Sequence, residues 1–226
     1  MVMLERVYEP RMPPSFDDRF CIVPDFLPPQ LFASLQEEIL RLAERDRTCV
    51  PTHKKGATIS YDALRKHAPK TVSLYHSVEH QKVISEIVGA HLEPTPARDN
   101  SSLSVLIYDR PGDHIGWHYD HNFYQGRHFT VLIGIENTNR DGTALSGAKL
   151  LVKKEVGEEI EIPTPPNTLV FFEGAKTLHK ITPIDEGERR VMLSMTYCTD
   201  PRNSRVQEVA RKIKDTAFFG VRALWT

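Results

Sequence analysis

Between residues 102 and 198 the chain breaks into short extended runs, each closed by a turn signal. Residues 103–108, 129–136, 148–152, 159–162, 169–172, 178–181 and 191–197 are rich in β-branched and aromatic side chains, which fit a pleated, half-buried surface. Pro111-Gly112, Asn139-Arg140-Asp141-Gly142, residues 163–167 and Glu186-Gly187 separate them with turn-forming residues. Seven or eight short strands after a helical lead predict a mainly β architecture with helices (α+β). The expected form is a double-stranded β-helix, or jelly roll, with N-terminal helices bracing one sheet.

The lead is legible by its spacing. Residues 20–23 read as a short strand. Pro28-Pro29 then opens a helix to about residue 45, with Leu31, Leu35, Ile39 and Leu42 on one face. A second helix covers residues 78–89, turning Val83, Ile84, Ile87 and Val88 inward and ending on Gly89. Between them, residues 49–70 are polar and rich in Lys and His, and read as a loop over a site. Residues 204–217 read as an amphipathic helix. With 226 residues, 40% of them hydrophobic, one sizeable core is expected and wholesale disorder is excluded. The organisation expected is a single domain over 1–226: helical lead-in 20–100, jelly-roll core 102–198 and helical tail 203–226.

Formal net charge is -1, so the chain lacks the concentrated basic surface that nucleic-acid binding demands. The densest basic stretch, Arg211-Lys212-Ile213-Lys214, reads as a solvated face of the tail helix. No apolar run approaches the ~18 residues of a membrane span. The N-terminus has no apolar signal region, and Cys21, Cys49 and Cys198 are too scattered for a disulfide framework. A reduced, cytoplasmic protein with no membrane contact is expected. The sequence does not specify its oligomeric state.

His118-Tyr119-Asp120 places two metal ligands at i and i+2, which an extended backbone turns to the same face. Imidazole and carboxylate together suit Fe(II), and two histidines plus one carboxylate leave coordination sites open for a co-substrate and O₂. His179, which begins a strand after the buried-looking run 168–172, is the candidate third ligand. Trp117 and Tyr119 flank His118 on the opposite face and are expected in the core.

Arg189 and Arg190 follow His179 by ten and eleven residues. A dicarboxylate co-substrate such as 2-oxoglutarate needs a cation for its far carboxylate, and arginine offers a bidentate fork. Alternation puts Arg190 with Met192, Ser194 and Thr196 on a polar face, and Arg189 with Val191, Leu193 and Met195 on an apolar one. Periodicity therefore favours Arg190. Tyr108, ten residues before His118, is positioned to offer its hydroxyl to the same carboxylate.

These residues resemble the Fe(II)/2-oxoglutarate dioxygenase superfamily, in particular its prolyl-4-hydroxylase-like branch. The shared order is Tyr108, Pro111-Gly112, His118 and Asp120, Gly147, then His179 with Pro183 and Gly187. By that branch's spacing Arg189 is the carboxylate binder, so both arginines stay candidates. Tyr108-Asp109-Arg110-Pro111-Gly112-Asp113-His114-Ile115-Gly116-Trp117-His118, Asp120-His121-Asn122-Phe123, Gly126-Arg127-His128-Phe129-Thr130 and residues 190–197 are similar to small standalone enzymes that halogenate or hydroxylate free amino acids. That resemblance implies the cupin-like jelly roll, iron, 2-oxoglutarate and a small amino-acid-like substrate. In the halogenases of that group a small residue replaces the carboxylate ligand and leaves room for halide. Asp120 is retained here, which favours hydroxylation of an unactivated C–H bond.

The substrate contacts expected are His121 and Asn122 beside the ligands, Arg65 for a carboxylate, and Trp225 in a tail that folds over the site. Two alternatives stay open: a protein or peptide side-chain hydroxylase, and a non-oxygenase cupin with another metal in the same site.

Overall fold

The computed structural model describes residues 16, 19–45, 47–49, 54–154 and 157–219. In chain order the elements are β1 (Phe20–Val23), α1 (Pro29–Ala43), β2 (Thr48–Cys49), β3 (Lys54–Lys55), β4 (Ala57–Ile59), α2 (Tyr61–His67), α3 (Pro69–Tyr75), α4 (Val78–Val88), β5 (Glu93–Pro94), β6 (Leu103–Tyr108), β7 (His114–His118), β8 (His128–Thr138), β9 (Leu150–Lys153), β10 (Glu159–Ile162), β11 (Leu169–Phe172), β12 (Leu178–Ile181), β13 (Arg189–Cys198) and α5 (Arg205–Phe219).

Every strand pairing is antiparallel. The larger sheet runs β1-β11-β8-β13-β6-β4-β2, with β5 beside β13, and the smaller runs β10-β9-β12-β7-β3. This is the expected jelly roll. Its two faces follow from period-two alternation. Val191, Leu193, Met195 and Tyr197 of β13 join Val105 and Ile107 in the core shared with α1, α2, α3 and α4. Met192, by contrast, joins Tyr108, Leu132, Val170 and Phe172 in the core between the sheets. Arg190 falls on that inter-sheet face.

The helical layer is tied down by caps as well as apolar burial. Leu35 and Ile39 of α1 are fully buried; truncating either to Ala costs roughly 2–5 kcal/mol. Glu38, also buried, accepts from the Thr71 N–H (2.9 Å) and hydroxyl (2.8 Å), and so caps the start of α3 from a neighbouring helix. Gly89 takes the left-handed conformation (φ 65°) that ends α4, as its position predicts.

Three expectations are corrected. Residues 49–70 hold β3, β4 and α2 rather than one loop, because Ala57 and Ile59 alternate into the helix-side core and Ser60 caps α2. Trp117 and Tyr119 are 37% and 51% exposed, because the outer face of β7 carries no further layer. The tail helix docks by its polar side: Arg211 is buried, while Val206, Val209 and Ile213 are exposed. Among the described residues no helix is long and apolar enough to cross a membrane. Cys21 and Cys198 are buried and unpaired.

Candidate metal centre

The site lies between the two sheets, where the smaller sheet brings two histidines face to face. Antiparallel pairing of β12 with β7 places His179 directly opposite His118. Their ring centroids are 4.1 Å apart. Each ring is oriented by the carbonyl two residues before it. Nδ1 of His118 meets Gly116 O at 2.9 Å, and Nδ1 of His179 meets Thr177 O at 2.8 Å. A carbonyl can only accept, so Nδ1 is the donor in each contact and Nε2 is left on the other side of the ring. Both Nε2 atoms lie 3.7 Å from Asp120 Oδ1. The three ligand atoms fall within 4.8 Å of one another, so the donor set fits a single ion.

The surroundings are built to hold the Asp120 carboxylate in place. Its backbone N–H donates to Gly174 O at 3.0 Å, which fixes the chain after β7. Its Oδ2 accepts from the Thr130 hydroxyl at 2.5 Å. A Cβ at Gly174 would overlap Asp120 Oδ2 and lie 2.7 Å from Thr130 Oγ1, so glycine is the residue that leaves room for this carboxylate. Burial pushes its pKa up, but His179, His118 and the Thr130 hydroxyl outweigh burial and hold it below the ordinary carboxylate value.

A cavity of about 440 Å³ opens from this centre, within the usual range for small-molecule sites. Arg190 and Tyr108, direct partners across β13 and β6, line one end. Arg190 is 1% exposed. Its Nη2 donates to Thr164 Oγ1 at 3.3 Å, and its guanidinium sits 5.5 Å from the Tyr108 ring centre. Neither Arg190 Nε nor the Tyr108 hydroxyl has a hydrogen-bond partner among the described residues. Each such group costs roughly 1–3 kcal/mol when buried unsatisfied, so both point to a missing ligand. Burial lowers the Arg190 pKa to about 10, which leaves it a cation at neutral pH. Burial also raises Tyr108 to about 12, against the pull of Arg190, so it stays a hydroxyl donor.

The remaining expected residues scatter. Arg189 lies outside the cavity, paired with Glu44 at 2.7 Å and Glu136 at 3.2 Å. Its position outside the cavity follows the alternation along β13. His121 lines the cavity and stacks on Phe123. Asn122 is a loop builder: its Nδ2 donates to Gly126 O and its Oδ1 accepts from Tyr124 N. Arg65 is an exposed helix cation paired with Asp62 at 2.8 Å, away from the cavity lining. Trp225 lies outside the described residues.

Sequence reasoning passed over Thr130, Thr164, Gly174, Asp99, Ser101, His128 and Lys214. Thr130 shares the alternation of β8 and Gly174 follows the apolar run of β11, so both were findable in principle. Asp99, Ser101 and Lys214 belong to a turn and a tail that carry no motif.

The jelly roll, with His118, Asp120 and His179 converging between its sheets, is the fold of solved iron/2-oxoglutarate oxygenases. Solved structures agree on the fold. A 2OG-Fe(II) oxygenase-family oxidoreductase from Burkholderia pseudomallei matches with TM-score 0.63 at 15% identity, over 84% of this chain and 89% of its own. A prolyl-4-hydroxylase from Pseudomonas putida matches with TM-score 0.57 at 15% identity, over 80% and 92%. The epimerase SnoN, solved with Fe3+, alpha ketoglutarate and nogalamycin RO, matches with TM-score 0.65 at 12% identity, over 81% and 80%. The chain belongs to the halogenase D (HalD) family, which matches residues 11–218. Among curated proteins no match is found.

Proposed function

We propose that this chain hydroxylates an unactivated C–H bond of a small, amino-acid-like molecule, using O₂ and 2-oxoglutarate. One observation carries the reading. Three ligand atoms within 4.8 Å of one another share a cavity with a buried guanidinium whose Nε has no hydrogen-bond partner among the described residues.

His118, Asp120 and His179 would hold Fe(II). When bound, the iron would activate O₂, with 2-oxoglutarate converted to succinate and CO₂ as one oxygen atom passes to the substrate. The protein's own part is positioning. Gly116 O and Thr177 O hold the two imidazoles in one tautomer. Thr130 holds the carboxylate of Asp120. Arg190 takes the far carboxylate of 2-oxoglutarate in its fork, with Thr164 steadying the guanidinium and the Tyr108 hydroxyl donating to the same group. Leu106, Ile115, Leu150, Ile181 and Met192 line the cavity with apolar surface, which keeps water from competing there.

The family's name raises halogenation as a second reading. Asp120 stands against it, because its carboxylate takes the coordination position that a halide needs. The Thr130 hydrogen bond and the space at Gly174 support that carboxylate specifically. A cavity of about 440 Å³ suits a small molecule better than a protein side chain on its backbone. The unpaired Cys21 and Cys198 and the net charge of -1 fit a reduced, cytoplasmic enzyme without nucleic-acid partners.

The test is succinate release by protein loaded with Fe(II) under anaerobic conditions, then exposed to O₂ with a broad amino-acid panel. Stimulated succinate release with a product heavier by one oxygen atom is expected. No 2-oxoglutarate turnover with or without any panel member would sink the reading.

A further inference from the structure

The cavity has a second polar end that the iron and 2-oxoglutarate reading does not use. Arg190 and Thr196 both line it, six residues apart on β13, or about 20 Å along the strand. Near Thr196 the lining residues are Asp99, Ser101, His128 and Lys214. Lys214 reaches in from α5, the helix whose basic residues read from sequence as a solvated face.

The Lys214 ammonium is held on several sides. Nζ donates to Asp99 Oδ1 at 2.9 Å and to Ser101 Oγ at 2.8 Å, forms an ion pair with Asp215 Oδ1 at 3.0 Å, and sits 5.2 Å from the Phe123 ring centre. A substrate carboxylate brought to this point would meet the Asp99 and Asp215 carboxylates. This end of the cavity is shaped for a cation.

Most of that cradle belongs to the body of the protein. Asp99 is 4% exposed and also accepts from the Tyr124 hydroxyl (2.9 Å) and the Ser101 N–H (3.0 Å). If α5 moved away, a buried carboxylate would be left without a counter-charge, a costly state that another cation would relieve. His128, 4% exposed and stacked on Tyr124, lines the same space, and its Nδ1 has no hydrogen-bond partner among the described residues. That is a second polar group awaiting a ligand.

The docking of α5 is of a kind that can be exchanged. Its outward residues Val206, Val209 and Ile213 are 79%, 59% and 67% exposed, so they hold nothing down. Among the described side chains its ties to the body include Lys214 to Asp99 and Ser101, Arg211 to the Arg98 carbonyl, Glu208 to Arg98, and Asp215 to the Asn100 N–H, all of them polar.

We propose that Asp99, Ser101 and the Phe123 ring form a cradle for a substrate ammonium group, and that Lys214 occupies it as a tethered competitor. Substrate enters as α5 lifts, its ammonium taking the place of the lysine's and His128 meeting a neighbouring polar atom. The inference rests on the reading of this cavity as a substrate site, and it adds a selection: cations pass, and neutral or anionic analogues do not displace Lys214.

The experiment uses the full chain loaded anaerobically with Fe(II) and 2-oxoglutarate, so that Arg190 is occupied. n-Butylammonium is titrated by calorimetry, with butanoate and butanol as anionic and neutral controls. Only butylammonium should bind the wild type. Lys214→Met should tighten it about tenfold or more, the factor by which a closed state favoured ten to one weakens apparent affinity. Asp99→Asn should abolish it. Saturation with butylammonium should also speed amide exchange in residues 205–219 of the wild type. Weaker or unchanged binding to Lys214→Met, equal binding of butanoate, or slower exchange in α5 would each overturn the inference and make Lys214 a structural latch. Because Lys214→Met and the exchange measurement carry the sign, a poorly folded Asp99→Asn does not decide the matter. 2-Oxoglutarate binding is measured on the same samples. If it binds and butylammonium does not, this inference alone fails; if 2-oxoglutarate fails to bind, the reading of the cavity fails with it.

Discussion

The two ends of the cavity are built by opposite means. At the Arg190 end the polar groups come from paired strands, and two of them, Arg190 Nε and the Tyr108 hydroxyl, have no hydrogen-bond partner among the described residues. At the Asp99 end they come from a turn and a helix, and the Lys214 ammonium is hydrogen-bonded to Asp99 and Ser101 and ion-paired with Asp215 within the chain. A rigid end with vacant hydrogen-bonding capacity is suited to a co-substrate that is the same in every turnover. An end closed by its own ion pair is suited to selection, because a ligand must outcompete what is already there. On the proposed reading, an unsatisfied buried group and an internally paired one can both mark a binding site. In the second case the partner comes from a helix docked by polar contacts.

Predictions that test this contrast fall in order of size. Asp120→Ala removes a ligand and should abolish turnover with any substrate, read as loss of succinate release. Activity retained at the wild-type level would break the metal centre. Arg190→Ala should raise the 2-oxoglutarate KM by about one to three orders of magnitude, at about 1.4 kcal/mol for each tenfold. Arg189→Ala should leave that KM unchanged, since it removes only the pairs with Glu44 and Glu136. Reversed results would exchange the roles of the two arginines. Thr130→Val strips the hydrogen bond from Asp120 and should weaken iron binding about 10- to 100-fold, as measured by competition with a chelator.

The tail end should answer to acid. Hydrogen bonding from Arg211, only partly opposed by burial, depresses the Glu208 carboxyl to about 2 from an ordinary 4.5. A folded-state pKa below the unfolded one means stabilisation that is fully present above pH 4.5 and lost as pH falls toward 2. Amide exchange in residues 205–216 should therefore accelerate over that window before the β strands respond. Glu208→Gln should flatten this dependence. Arg65→Ala, at an exposed pair with Asp62, should change stability by about 0.3–0.5 kcal/mol and leave every KM alone.

Legibility in the sequence divides along the same line. β6, β8, β11, β12 and β13 announce themselves by β-branched runs between turns, and the strand period alone assigned Arg190 inward and Arg189 outward. His118 and Asp120 were findable because ligand chemistry asks for such residue types at i, i+2 in an extended segment, and His179 because it begins a strand after a buried-looking run. The failures have physical causes. Trp117 and Tyr119 were placed inside because their strand was expected to be covered on both faces, and β7 is covered on one. The tail helix reads as amphipathic, but its basic stretch Arg211-Lys212-Ile213-Lys214 was read as a solvated face, and Arg211 is buried. Arg211, Asp215 and Glu208 face in instead, because they find partners in one another and in the turn around Asp99. A helix pattern records two faces; which one the body takes depends on contacts more than a hundred residues away, such as Lys214 with Asp99.

With Asp120 beside His118 and His179, this halogenase D family chain is proposed to insert oxygen rather than halide. The most direct measurement is the mass of the product formed from the amino-acid panel under isotopically labelled dioxygen, with 2-oxoglutarate and excess chloride present. One labelled oxygen atom in the product and none of the halide is the predicted result. A chlorinated product without labelled oxygen would contradict the claim.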